Sequence, residues 1–184
     1  MTAPTGTAGT MAVRVTTAGG TSTAVPADQY TYETVPTVTG LTPSAGPLAG
    51  GNTVTVSGTG FVSGATAVSF GGTPGTAVAV ASATSLTVTA PIGSAGTVDV
   101  RVMTAGGTST TVPADLYTYE VVPAVTTLSP TAGPLGGGNT VTVTGSGFVI
   151  GATSVSFGSM PGTGVVVSGP TSLTVTARSA RPGR

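Results

Sequence analysis

No histidine, cysteine, tryptophan or lysine occurs among the 184 residues. Without histidine and cysteine there is no Ser-His-Asp triad, no thiol nucleophile and no zinc site of the usual kind. The missing cysteine also removes disulfides as a guide to compartment. Charge is almost as scarce, at 5% of residues. Five arginines, at 14, 101, 178, 181 and 184, balance Asp28, Glu33, Asp99, Asp115 and Glu120 to a net charge of zero. Such a chain cannot steer a polyanion, because nucleic-acid affinity comes largely from cations that neutralise phosphates. Long apolar runs are missing too: none approaches the ~20 residues a membrane helix needs, so no membrane insertion is expected. Residues 1–30 lack the charged start and apolar middle of a signal peptide.

What is abundant is turn and strand. With 30 Gly, 14 Pro and 39% hydrophobic residues, the chain can bury a core but spends much of itself on turns. Apolar residues recur with period two in TVTVS (53–57), TAVSF (66–70), TAVAVAS (76–82), SLTVTA (85–90) and TVDVRV (97–102). Alternating Val and Thr describes a strand with one face in a core and one in water. Several such strands, bounded by Gly, Pro or Ser and with no helical spacing, predict a two-sheet β-sandwich. Val38, Leu41, Val54, Val56, Phe61, Val68, Phe70, Val78, Val80, Leu86, Val88, Val98, Val100, Val102, Tyr117 and Tyr119 are its expected core.

The chain also repeats itself. Residues 37–90 align without gaps to 124–177 with 38 of 54 positions identical, and 1–34 align to 88–121 with 25 of 34 identical. The offset of 87 suits a small β domain and is too long for a solenoid unit. The expected organisation is the C-terminal part of a repeat over 1–34, a complete repeat over 35–121, the N-terminal part of a third over 122–177, and an aberrant tail over 178–184.

Both ends carry expectations of their own. Met1 stands where the complete repeat has Val88, and GTG encodes Val as well as a bacterial start, so the start is expected to lie inside a longer reading frame. Codons permitted for Ala177 to Arg184, read two bases on, give Pro-Val-Gly-Ser-Ala-Gly-Thr, close to the Pro-Ile-Gly-Ser-Ala-Gly-Thr at 91–97. A frameshift therefore accounts for the arginine-rich tail better than a basic motif does.

One order of motifs is distinctive: P-x-V-x-x-L-x-P (36–43), G-P-x-x-G-G-x-x-V-T-V-x-G-x-x-F (46–61), V-S-F-G-G (68–72), T-A-P (89–91), V-D-V-R-V (98–102) and Y-T-Y (117–119). It resembles the IPT/TIG domain, an immunoglobulin-like fold. The signature residues are Pro43, Gly46, Pro47, Gly50, Gly51, Gly58, Phe61, Phe70, Pro91, Tyr117 and Tyr119. The resemblance implies a sandwich of about seven strands, used as a module in cell-surface receptors such as plexins, in bacterial surface and secreted proteins, and in some transcription factors. It fixes the domain type and says little about the ligand.

Four chemical readings compete with a structural one. GTGFVSG (58–64) misses the dinucleotide pattern G-x-G-x-x-G by one residue, has no P-loop Lys, and leads to strands instead of a helix whose N-terminus would hold phosphate. DNA contact would rest on Arg14 and Arg101 alone, so no nucleic-acid partner is expected. Calcium would need the acids of VPADQYTYE and VPADLYTYE, Asp28, Asp115, Glu33 and Glu120, to converge; an Asp after Pro-Ala more often caps a turn. A sugar-stacking platform would need Tyr30, Tyr32, Tyr117 or Tyr119 exposed, whereas alternation puts Tyr117 and Tyr119 on one core face. No catalytic, metal or cofactor-binding residue is assigned. The expected role is a non-catalytic extracellular or cell-surface spacer or adhesion array with a protein or glycan partner. An accessory or carbohydrate-binding module of a larger carbohydrate-active enzyme is the alternative. The incomplete repeats leave unpaired strand edges, and these predict head-to-tail self-association.

Overall fold

The structure, a computed structural model, describes residues 3–64, 66–151 and 153–178. The expectations placed on Met1 and on the tail from Ser179 onward lie outside these residues. The chain divides into two compact units, residues 1–119 and 120–184.

The first unit opens with β1 (Gly9–Ala12), β2 (Thr16–Thr17), β3 (Gly20–Thr21) and, after a short 3-10 turn at Pro26–Asp28, β4 (Gln29–Tyr32). There follow β5 (Thr37–Thr42), β6 (Ala45–Pro47), β7 (Thr53–Thr59), β8 (Ala67–Phe70), β9 (Thr73–Pro74), β10 (Thr76–Ser82) and β11 (Ser85–Thr89). β12 (Gly96–Thr104), β13 (Gly107–Thr108), a second 3-10 turn at Pro113–Asp115 and β14 (Leu116–Glu120) complete the series. From β5 onward the strands form two antiparallel sheets. One has the order β10-β11-β7-β5; the other has β6-β14-β12-β8-β9, with β13 on β12. This is the all-β sandwich that the Val/Thr alternation predicts, of the immunoglobulin-like kind that the IPT/TIG resemblance implies.

The reason is visible strand by strand. In β7 and β11 the even positions Val54, Val56, Leu86 and Val88 point inward and are fully buried, while the threonines between them stay partly or wholly outside. Register pairs Val56 with Leu86 and Val54 with Val88, so the apolar face is continuous across the two strands. From the other sheet Val68, Phe70, Val100, Val102, Tyr117 and Tyr119 close the core. Each fully buried Val or Leu contributes about 1.5–3 kcal/mol of burial. Leu41, Val78, Val80 and Val98, expected inside, are only partly buried and pack on the rim, because they sit on edge strands or near strand ends; Ala90 and Leu48 join the packing instead.

The second unit carries β15 (Ala124–Ser129), β16 (Thr140–Ser146), β17 (Ser156–Phe157), β18 (Met160–Pro161), β19 (Thr163–Gly169) and β20 (Ser172–Thr176). Its sheet runs β15-β16-β20-β19, with β17-β18 as a separate hairpin. Among the described residues its strand pairings repeat those of the first unit at an offset of 87: Ser156↔Pro161 matches Ser69↔Pro74, and Val143↔Leu173 matches Val56↔Leu86. Val141, Val143, Phe148, Leu173 and Val175 form its core.

Candidate functional site

Eight of the eleven signature residues gather around the last strand of the complete sandwich. Alternation along β14 turns Tyr117 and Tyr119 inward, where they are 0% and 3% exposed. The ring of Tyr117 meets Phe70 edge-on at 5.1 Å, and Tyr119 meets Tyr117 in the same manner at 5.1 Å. Buried phenols need acceptors. Tyr117 donates its O–H to Asn52 Oδ1 at 2.9 Å, and Tyr119 donates to the Pro91 carbonyl at 2.9 Å. Burial, and then the neighbouring Tyr117, raise the Tyr119 hydroxyl above the ordinary tyrosine range.

The glycines make room for this arrangement. A Cβ on Gly46 would overlap the Tyr117 hydroxyl, and one on Gly50 would overlap the Pro91 carbonyl. Gly50 also has φ +65°, in a turn closed by its N–H on the Pro47 carbonyl at 2.9 Å. Gly51 donates to the Ala90 carbonyl, so the glycine pair ties the start of the sandwich to the end of β11. Pro43 follows a cis peptide between β5 and β6. Gly58 and Phe61 form a separate pair: a Cβ on Gly58 would overlap the Thr37 carbonyl and press on the buried Phe61 ring. Among the described residues the glycine-rich run is followed in sequence by strands β8 to β11 and by no α-helix.

A second polar cluster lies at the β12–β14 turn. Arg101 Nε and Nη2 donate to the Ser109 carbonyl at 3.0 and 2.6 Å, and the fully buried Ser109 hydroxyl accepts from the Val102 N–H at 3.0 Å. Asp115 Oδ2 accepts from the Val112 N–H at 2.9 Å and closes the 3-10 turn; Asp28 does the same for Val25. Burial is the largest influence on the Asp115 carboxyl and raises it; the Val112 N–H opposes this, and the Asp99 charge adds to the rise. Asp115 Oδ1 is buried with no hydrogen-bond partner. Among the described residues no three acidic, His or Cys side chains gather to hold a metal ion.

Nothing in the sequence reading marks Asn52 as a structural partner. Its recurrence as Asn139, beside a buried strand, was the available signal. Ser109 and its counterpart Ser22 were missed in the same way. Two cavities of the first unit offer little chemistry. One of about 290 Å³ is lined by Ile92, Gly93 and Tyr119, and one of about 260 Å³ by Pro74, Arg101 and Met103, with the arginine already bonded to Ser109. The outer strand faces carry hydroxyl pairs instead: Thr37–Thr59 at 2.8 Å, Thr97–Thr118 at 3.1 Å and Thr10–Thr31 at 2.9 Å.

The family described as the IPT/TIG domain matches residues 36–119 and 123–184, most of the chain. Two solved structures of the plexin A4 full extracellular region are similar at 20% and 24% identity, with TM-scores of 0.44 and 0.47. They align over 84% and 80% of this chain but only 13% and 16% of their own length. An SGBP-B from a complex xyloglucan utilization locus in Bacteroides uniformis is similar at 20% identity and a TM-score of 0.33, over 82% of this chain and 43% of its own. No match was found among curated proteins.

Proposed function

The chain belongs to the IPT/TIG domain family, and from that premise we propose that it is a non-catalytic array of β-sandwich beads serving as a spacer or adhesion segment of a longer surface or secreted protein. Residues 35–121 are the complete bead, flanked by the closing part of one over 1–34 and the opening part of another over 122–177.

One observation carries this reading: the groups best able to do chemistry in the complete sandwich are committed to its own structure. Both tyrosine hydroxyls, the Arg101 guanidinium and one oxygen of the Asp115 carboxylate are hydrogen-bonded within the bead. What faces outward is strand surface rich in Thr, uncharged and paired hydroxyl to hydroxyl. Val-Pro links at Val35-Pro36 and Val122-Pro123 fix φ at the junctions and limit bending between beads. Among the described residues no helix is long and apolar enough to cross a membrane.

The carbohydrate-binding alternative needs an aromatic platform in water. Tyr117 and Tyr119 are buried, so it would rest on Tyr30 and Tyr32, whose rings stand edge-on at 75° and offer no shared flat face. A glycan array probed with the intact chain separates the two: the spacer reading expects uniform background. Saturable binding to one glycan class, lost on Tyr30→Ala, would replace it with the alternative. Single-molecule pulling adds a positive readout. Unravelling the 84 residues of the 36–119 match should release roughly 28 nm of chain in one cooperative step.

A further inference from the structure

The segment that leads from β4 into β5 does not cross open water. Residues 33–36 run against the β12–β13 turn and the bend that follows β7. A Cβ on Gly106 would overlap the Thr34 carbonyl oxygen and lie 2.9 Å from that of Glu33. One on Gly107 would touch Val35 Cγ2 at 3.4 Å, and one on Gly60 would lie 3.2 Å from Pro36 Cα and 3.5 Å from Thr34 Oγ1. Pro36 is fully buried. Glu33 Oε2 is also shut away from water, with no hydrogen-bond partner.

The turn itself does not call for glycine at 106. Gly106 stands in the loop between the paired Thr104 and Gly107, and its N–H donates to Thr104 Oγ1 at 3.2 Å. Gly107 has φ +130°, whereas Gly106 lies outside the left-handed region. Gly19 holds the same place between the paired Thr17 and Gly20, with its N–H on Thr17 Oγ1 at 3.2 Å. A Cβ there would meet only that Oγ1, at 3.6 Å. What the absent side chain of Gly106 supplies is therefore room for the Thr34 carbonyl. The opposite wall recurs in the second unit: a Cβ on Gly147 would lie 3.0 Å from Val121 Cγ2 and 3.1 Å from Pro123 Cα, as one on Gly60 would face Thr34 and Pro36.

We infer that the β12–β13 turn and Gly60 form a seat that grips residues 33–36 and holds the 9–32 hairpin in one direction relative to the sandwich it enters. The Val-Pro link restricts a single φ angle; the seat fixes the main chain on both sides of it. It deepens the spacer reading and rests on the bead boundary drawn there after Thr34. Glycan binding would replace that reading without moving either measurement below.

Glutamyl endopeptidase tests the seat on the full chain, whose only glutamates are Glu33 and Glu120. The protease must draw the glutamate side chain and the backbone on either side into its own cleft, which a seated segment refuses. Cleavage after Glu120, where Val121 and Val122 are 45% and 74% exposed, is the reference. In the wild type, initial cleavage after Glu33 should be about tenfold slower than after Glu120. Gly106→Ala should raise that ratio about tenfold, and Gly19→Ala should leave it unchanged. Nitrogen-15 relaxation adds a readout that needs no variant: the Glu33, Thr34 and Val35 amides should show order parameters of about 0.85, as in a rigid strand. Equal cutting at the two glutamates in the wild type overturns the inference, and so do order parameters below about 0.6 at those amides. So does a folded Gly106→Ala chain cut like the wild type, or a Gly19→Ala chain cut like Gly106→Ala. Near-UV circular dichroism, dominated by the central Tyr117 and Tyr119, reports whether each variant is folded. If Gly106→Ala does not fold, the two wild-type measurements decide.

Discussion

Replacing Gly58 by alanine adds one methyl group at a place where backbone already stands. The new Cβ would overlap the Thr37 carbonyl and lie 2.7 Å from Phe61 Cζ. Neither neighbour can yield easily. Thr37 pairs with Thr59 in the β5–β7 ladder, its neighbour Val38 is 4% exposed, and Phe61 is equally buried. Overpacking of this kind costs about 1–3 kcal/mol, and one weakened ladder bond adds about 1 kcal/mol. Against this, alanine recovers roughly 0.5–1 kcal/mol of strand entropy. The net cost is about 1–3.5 kcal/mol, which in a domain of this size lowers the melting temperature by roughly 5–25 °C.

The chain contains its own control. Gly145 meets the Ala124 carbonyl and Phe148 in the same geometry, but Val125 beside it is 61% exposed, so β15 is free to move aside. Gly145→Ala should therefore cost less than half as much. All four tyrosines lie at or before Tyr119, so tyrosine fluorescence follows the first unit while far-ultraviolet circular dichroism follows both. A Gly58→Ala chain that melts within the error of the parent would refute the steric reasoning. A Gly145→Ala cost equal to that of Gly58→Ala would refute the claim that strand mobility sets it.

Tyr117→Phe leaves Asn52 Oδ1 buried without its donor, next to an Nδ2 that already has no partner; urea titration should show a loss of about 1–3 kcal/mol. Ala77 holds φ +49° in the bulge between β10 and β11, where the second unit has Gly164 at φ +58°. Ala77→Gly should raise stability by about 0.5–1 kcal/mol, since relief of about 1–2 kcal/mol of left-handed strain exceeds the entropy cost of glycine. Asp115 holds its proton more tightly when folded than its ordinary value of 3.8, so its contribution to stability is greatest below that pH and falls as pH rises through the folded value. Asp99→Asn removes the adjacent charge, so melting curves from pH 3 to 8 should show a shallower fall.

Much of the fold was legible because its information is local. Val54, Val56, Leu86 and Val88 declare their strands by alternation, and the 87-residue repeat shows which pieces belong together. Tyr117 and Tyr119 announce a buried face by the same rule. The rest depends on atoms that meet across the sandwich. Nothing near Asn52 in sequence says that a hydroxyl 65 residues away will land on its oxygen. Gly58 reads as a flexible point, yet what it supplies is space for the Thr37 carbonyl. Leu48 joins the packing through a loop that carries no periodicity, and Leu41 and Val80 lie on the edge strands β5 and β10, where bulges also interrupt the register. Alternation also assigns Val13 and Val100 the same place, while only the complete repeat buries it.

The hydroxyl pairs along the outer strands have a consequence for how molecules of this kind behave in a crowd. Most soluble proteins keep their distance partly through net charge, which salt then screens. Here the net charge is zero and outer strands pair threonine with threonine, as at Thr37–Thr59 and Thr97–Thr118. Only a hydration layer separates neighbouring molecules, and added salt has almost nothing to screen. Contacts between copies are then governed mainly by shape and apolar fit, and salt cannot weaken them by screening.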